Sequence, residues 1–130
     1  MKATVSWQEN LRFTCKTDTG HTLELDGNGE TMSPMESVLL SVGACSSIDV
    51  VDILKKSRKQ VDDCICQLDA TRAEEAPRFF TAIHAHYIVK GEGLSEKNVA
   101  RAVQLSSEKY CSVMLMLAGN VEITTSYELV

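Results

Sequence analysis

Apolar and polar residues alternate along the first 25 positions. Residues 2–7 (KATVSW) alternate and carry β-formers. Residues 11–17 (LRFTCKT) do the same after the turn-like Gln8-Glu9-Asn10, and a shorter run at 21–25 (HTLEL) follows Asp18-Thr19-Gly20. Period-two alternation puts every second side chain on one face, so the three runs predict an antiparallel meander. The glycine-rich stretch 26–30 (DGNGE) then marks a loop.

The period changes at residue 33. Ser33 is a natural N-cap, Pro34 suits the first helical position, and Glu36 stands three residues after the cap. Together they form a capping box with φ pre-set by proline. A helix is expected from there to 56–59, where lysines favour the negative end of its dipole. From Met35 to Leu54 the apolar residues fall all round this helix. Such a helix is buried on most sides, and a second subunit is expected to help cover it.

Alternation returns at 61–73, with Val61, Asp63, Ile65 and Gln67 on one face and Asp62, Cys64, Cys66 and Leu68 on the other. A turn at 74–78 and a long apolar run at 79–90 predict a hairpin. Ser95 caps a second helix over 95–109, with Val99, Ala102, Val103 and Ser106 as its inward stripe. Cys111 stands at a break, a short helix is expected within 111–119, and residues 121–129 form a closing strand. The order β-β-β-α-β-β-α-α-β defines an α+β fold in one domain, 1–130.

Composition narrows the functions. The chain has 130 residues, a net charge of −5 and only 5% aromatic residues. Nucleic acid and anionic membranes both require a basic footprint, so neither is an expected partner. No run of about 18 apolar residues is evident for a membrane span. The opening MKATVSWQEN lacks the apolar stretch and cleavage site of a signal peptide, and a cytoplasmic location is expected. The five cysteines (15, 45, 64, 66 and 111) should then be thiols unless two of them serve redox chemistry. Cys64 and Cys66 have no second pair and no histidine at zinc spacing, so no metal site is expected.

Cys45 sits in the middle of the first helix, where a free cysteine ordinarily packs as a small hydrophobe. Cys111 stands where a new helix is expected to start, a position that lowers a thiol pKa. Asp49 follows Cys45 by one helical turn and shares its face, so its charge should raise that thiol. It is either a buried acid bonded to a hydroxyl, a backbone N–H or a base from a partner subunit, or else a proton acceptor or ligand anchor. His84 and His86 have metal-capable spacing but no evident third ligand, so a solvent-facing or interface pair is expected. His21 and the strand cysteines 15, 64 and 66 read as structural. The basic run 54–59 reads as a solvated helix end, with phosphate binding as the alternative. Met32, Met35, Met114 and Met116 bracket the two cysteine segments as core or pocket wall.

The segments SPMESVLLSVGACSS (33–47) and SEKNVARAVQLSSEKYCSV (95–113), at this separation, resemble the OsmC/Ohr family (osmotically inducible protein C and organic hydroperoxide resistance proteins), in its small OsmC-like branch. The resemblance covers nearly the whole chain. It implies an intertwined homodimer with its long helices between sheets and the cysteine pair near the dimer interface. It also implies an oxidative-stress function as a thiol peroxidase. Cys45 would attack an organic hydroperoxide and become a sulfenic acid, Cys111 would resolve it as a disulfide, and an external dithiol would reduce the pair, with no metal or other cofactor. Where peroxide-reducing members carry a glutamate after the proline, this chain has Met35, with Glu36 one residue on. Arg12 is the candidate for the arginine that supports the thiolate, alongside Glu36 and Asp49 as possible supporting residues, with Met35 and Met114 as pocket wall. Two readings follow. The cysteine pair favours the peroxidase. Met35 and the unmatched arginine favour a non-peroxidatic relative that binds a small apolar ligand at the dimer interface.

Overall fold

In the computed structural model, which describes residues 1–130, the meander forms as β1 (Ala3–Glu9), β2 (Arg12–Thr17) and β3 (Thr22–Asp26), all antiparallel. Val5 lies opposite Cys15 and Cys15 opposite Leu23; Trp7 lies opposite Phe13 and Phe13 opposite Leu25. One face of this sheet is therefore largely apolar, as the alternation requires. Asn10 takes φ 50° in the first hairpin, where its carbonyl accepts the Trp7 indole N–H at 2.8 Å. In the loop after β3, the Asp26 carboxylate accepts the N–H groups of Asn28 (2.9 Å) and Glu30 (2.7 Å). Those donors hold it ionised below the usual carboxylate range, Asn28 contributing most.

The chain is organised in two compact units, Met1–Val38 and Leu39–Val130. Helix α1 (Pro34–Lys56) begins in the last residues of the first. Its start is the capping box read from the sequence: Ser33 N–H donates to Glu36 Oε2 at 2.7 Å, and Glu36 N–H to Ser33 Oγ at 3.1 Å.

The second unit continues with β4 (Asp63–Arg72), β5 (Phe80–Lys90), α2 (Glu96–Leu105), a π-helical turn (Ser106–Tyr110), α3 (Ser112–Leu117) and β6 (Glu122–Leu129). β4 and β5 form the expected hairpin, with Cys66 opposite Tyr87 and Leu68 opposite Ala85. β6 joins β5 in parallel. A parallel partner needs a crossover, and the α2–π-turn–α3 segment supplies it. The inner face of the sheet is buried at Ile83, Ala85, Tyr87 and Val89. The helices contribute Val42, Val50 and Leu54 from α1, and Val99, Ala102 and Val103 from α2.

The approach of α1 to the sheet is close. A methyl group on Gly43 would lie 2.7 Å from Leu68 Cδ1. Polar groups at this contact are paired. Tyr87 Oη donates to Ser46 Oγ at 2.6 Å, the Ser46 hydroxyl donates to the Val42 carbonyl at 2.7 Å, and Ser106 donates to the Ser46 carbonyl at 3.2 Å. Burial without these partners would cost about 1–3 kcal/mol per group.

Two expectations are corrected. The second helix does not continue as α-helix to 109. It ends at Leu105 and widens into the π-turn, where Cys111 N–H reaches the Ser106 carbonyl at 2.8 Å. A stretch apolar enough to cross a membrane, by length and composition alone, does exist: α1, with a mean hydropathy of 1.7. The sequence expectation failed because a few polar positions break the run without lowering its average. Here Val42, Gly43, Ser46, Val50 and Leu54 are buried in protein, while Leu40 and Ile48 stand 52% and 68% exposed.

Gly91, just past β5, offers a direct test of the packing, because a Cβ there would overlap the Gln60 backbone carbonyl. Gly91→Ala is expected to cost about 2–3 kcal/mol, as overpacking against backbone does. Urea denaturation should show a lowered midpoint at an unchanged m value. A midpoint equal to the wild type would contradict this packing.

Candidate functional site

Cys45 and Cys111 come together. Cys45 projects from the middle of α1, and Cys111 is the N-cap of α3, delivered there by the π-turn. π-turns are uncommon and recur at functional sites. The two thiols are neighbours, close enough that each perturbs the ionisation of the other. Neither is in a disulfide. Ser112 Oγ lies 3.8 Å from Cys45 Sγ, and the Val113 N–H is directed to the same sulfur. The Met114 N–H donates to Cys111 Sγ at 3.4 Å. The first turn of α3 thus supplies backbone N–H groups to both sulfurs, Val113 to Cys45 and Met114, with a smaller share from Val113, to Cys111.

The two thiols differ in their surroundings. Cys45 is half-buried, while Cys111 is fully buried. The Val113 N–H, with the Cys111 thiol and the Ser112 hydroxyl, holds Cys45 below the ordinary thiol pKa. It does so against partial burial and the opposing charge of Asp49. Burial pushes Cys111 up to about 11, and the neighbouring Cys45 sulfur adds to the rise. This corrects the expectation that Cys111, at a helix start, is the thiol with the lowered pKa. The helical donors do reach it, but desolvation outweighs them. Of the two thiols, Cys45 is the one whose surroundings favour the thiolate, and Cys111 the one whose surroundings favour the neutral thiol.

Asp49 is bonded to a hydroxyl, one of the readings its sequence position left open: Ser106 Oγ donates to its Oδ2 at 3.0 Å. It raises the Cys45 pKa as expected, but as the smallest of the influences on that thiol. Arg12 and Glu36 belong to the first unit. Arg12 pairs with Glu30 at 2.7 Å, and its buried Nε has no partner. Glu36 is engaged by the capping box. Met35 is half-buried in the first turn of α1. Met114 is a core side chain, 1% exposed, and meets the thiols through its backbone.

His84 and His86 share the outer face of the β5–β6 pair. His84 bonds Thr124 and Ser126 at 2.7 and 2.8 Å, and His86 bonds Ser126 at 2.7 Å. Cys64 and Cys66 lie on the inner face of β4, where burial raises both thiols. Sequence reasoning missed Ser112, the Val113 N–H and Tyr87. Tyr87 is buried, its phenol is pushed well above the usual range by that burial, and it stays a donor to Ser46.

A long helix carries one thiol, and the crossover brings a second thiol beside it. Residues 27–126 match the family described as OsmC-like protein, and the chain belongs to that family. It is 53% identical over 132 residues to Protein YhfA of Escherichia coli K12, spanning all of this chain and 98% of that protein. A hypothetical protein from Aquifex aeolicus VF5 is 34% identical, with a TM-score of 0.90 over 99% of this chain and 95% of that one. The fold is shared at 17% identity with an organic hydroperoxide resistance protein OsmC from Legionella pneumophila. That match has a TM-score of 0.74 over 98% of this chain and 95% of the other.

The opposite tuning of the two thiols is open to measurement. Iodoacetamide at neutral pH is expected to modify Cys45 first, with a rate midpoint below the ordinary thiol value, and to leave Cys111 unmodified until the protein is unfolded. Ser112→Ala should slow Cys45 alkylation at pH 7 by roughly two- to fivefold, the worth of one solvent-shared hydrogen bond. Peptide mapping that finds Cys111 modified first would contradict the arrangement.

Proposed function

We propose that this protein is a thiol peroxidase for organic hydroperoxides, with Cys45 as the attacking thiolate and Cys111 as the resolving thiol. The observation that carries this reading is the contact between a thiol tuned toward ionisation and one tuned away from it. The thiolate, not the thiol, is the nucleophile. Cys45 S⁻ attacks the distal oxygen of R–O–OH, the O–O bond breaks, and the alkoxide leaves as ROH after taking a proton. Cys45 becomes a sulfenic acid. The Cys111 sulfur then attacks the Cys45 sulfur, and the hydroxyl leaves as water with the Cys111 proton. An external dithiol reduces the resulting disulfide and is itself oxidised.

The family relation supports this reading, as do the solved organic hydroperoxide resistance proteins of Legionella pneumophila and Bacillus subtilis that share the fold. The donors from Val113 and Ser112 take the role a cationic arginine would otherwise fill. A homodimer is part of the reading. Val5 and Trp7 on the apolar sheet face, and Leu40 and Ile48 on α1, are all more than half exposed in the single chain. Patches of this kind mark interaction surfaces. Five free thiols suit a reducing compartment.

The second reading, a non-peroxidatic binder of a small apolar ligand, draws on a groove of about 360 Å³ in the first unit. It is lined by Val5, Leu11, Phe13, Cys15 and Leu25.

Reduced protein mixed with cumene hydroperoxide distinguishes the two. Rapid loss of two thiols per chain, abolished by Cys45→Ser, is expected. Cys111→Ser should stop at a sulfenic acid that dimedone traps on Cys45. Slow oxidation indifferent to Cys45→Ser would overturn the peroxidase in favour of the binder.

A further inference from the structure

A cleft of about 520 Å³ opens in the second unit between the C-terminal half of α1 and the α2–π-turn segment. That is the size of a small-molecule site. Ile53 and Leu105 give it apolar lining, and Tyr110 adds a ring with a hydroxyl. Four charged side chains line it. Two of them neutralise each other: Lys56 Nζ lies 2.6 Å from Asp52 Oδ2, one turn apart on α1. The other two are not so engaged. Asp49, on the α1 wall, accepts one hydroxyl from Ser106 and has no cation beside it. Arg101, on the α2 wall, is exposed and has neither a salt bridge nor a hydrogen bond. Both line the same cleft, and no ion pair joins them.

We propose that this cleft binds a small zwitterion, an α-amino acid with an uncharged side chain, its ammonium on Asp49 and its carboxylate on Arg101. The charges select this class. A lone anion would be drawn to Arg101 but face the Asp49 carboxylate. A lone amine would meet the reverse. A purely apolar ligand would take water from both charges and return no partner to either. An α-amino acid satisfies both walls at once and lays its side chain on Ile53 and Leu105.

Asp49 also links the cleft to the thiol pair. It shares a helix face with Cys45, one turn away, and its negative charge opposes the Cys45 thiolate. An ammonium against Asp49 offsets that charge, so occupancy of the cleft favours the thiolate, and the thiolate in turn favours occupancy. This coupling rests on Cys45 being the reactive thiol of the proposed peroxidase; the binding itself does not.

Calorimetry on the reduced protein tests the site with L-leucine, leucinamide (ammonium only) and N-acetyl-leucine (carboxylate only). Saturable binding of L-leucine is expected, with each half-charged analogue weaker by about tenfold or more, the worth of one charge-assisted hydrogen bond. Arg101→Gln should weaken L-leucine to the level of leucinamide, and Asp49→Asn to that of N-acetyl-leucine. Arg101 is exposed, so its variant should keep the wild-type melting temperature and keeps the test valid if Asp49→Asn perturbs the fold. No saturable heat from leucine, methionine or threonine at about 10 mM would overturn the proposal. So would N-acetyl-leucine binding as tightly as leucine. L-leucine should also speed Cys45 alkylation at pH 7 in the wild type but not in Asp49→Asn. An unchanged rate with intact binding would overturn the coupling. Binding without peroxide turnover would overturn the peroxidase and leave the cleft standing.

Discussion

The contact between the middle of α1 and the first turn of α3 is the constraint on which the candidate site depends. It sets two sulfurs 66 positions apart in sequence beside each other and turns the backbone N–H groups of Val113 and Met114 toward them. Nothing in this contact is cationic. A thiolate can be stabilised by fixed dipoles as well as by a charge, provided the donors are already oriented when it forms. Val113 and Met114 meet that condition because the α3 backbone holds their N–H groups in place.

Burial then separates two chemically identical side chains. Cys111 is sealed, and desolvation outweighs its Met114 donor. Cys45 keeps some exposure, and its donors outweigh the desolvation. The difference is maintained by the layer behind the pair. Tyr87 bonds Ser46, Ser106 bonds both the Ser46 carbonyl and Asp49, and the Ser106 carbonyl receives the Cys111 N–H. One serine in the π-turn thereby joins the acid on α1 to the backbone that presents the second thiol. A mobile Ser106 would loosen both at once.

Much of this was legible in the residues. Ser33, Pro34 and Glu36 announced the start of α1, and the alternation in 61–73 assigned Cys66 and Leu68 to one face of β4, opposite Tyr87 and Ala85. Val99, Ala102, Val103 and Ser106 were readable as a buried stripe because helical spacing alone brings them together. The π-turn was not legible: residues 106–110 have ordinary helix-forming composition, and the extra residue per turn is imposed by packing rather than propensity. The parallel alignment of β6 depends on a crossover path that local pattern does not encode. The pairing of Cys45 with Cys111 came from family resemblance, since spacing carries no such information. The direction of the Cys111 shift was misread because a helix start is visible in sequence, whereas the depth of its burial is a tertiary property.

Asp49 shows why that last distinction matters for function. A carboxylate one turn from a reactive thiol is a liability if the thiol depends on a single neighbouring charge, since the two effects nearly cancel. Here it is the smallest influence on Cys45, because its other neighbours donate hydrogen bonds directly to the sulfur while the carboxylate acts only through space. Direct hydrogen bonds fall away steeply with geometry, whereas a through-space charge effect is graded and can be offset from a distance. The largest influence lowering the Cys45 pKa is therefore a fixed backbone donor, and the Asp49 charge is a minor one acting through space. Asp49 accepts the Ser106 hydroxyl and also lines a cleft that holds Arg101. A ligand cation placed against this acid would offset its charge without touching the donors around the thiols.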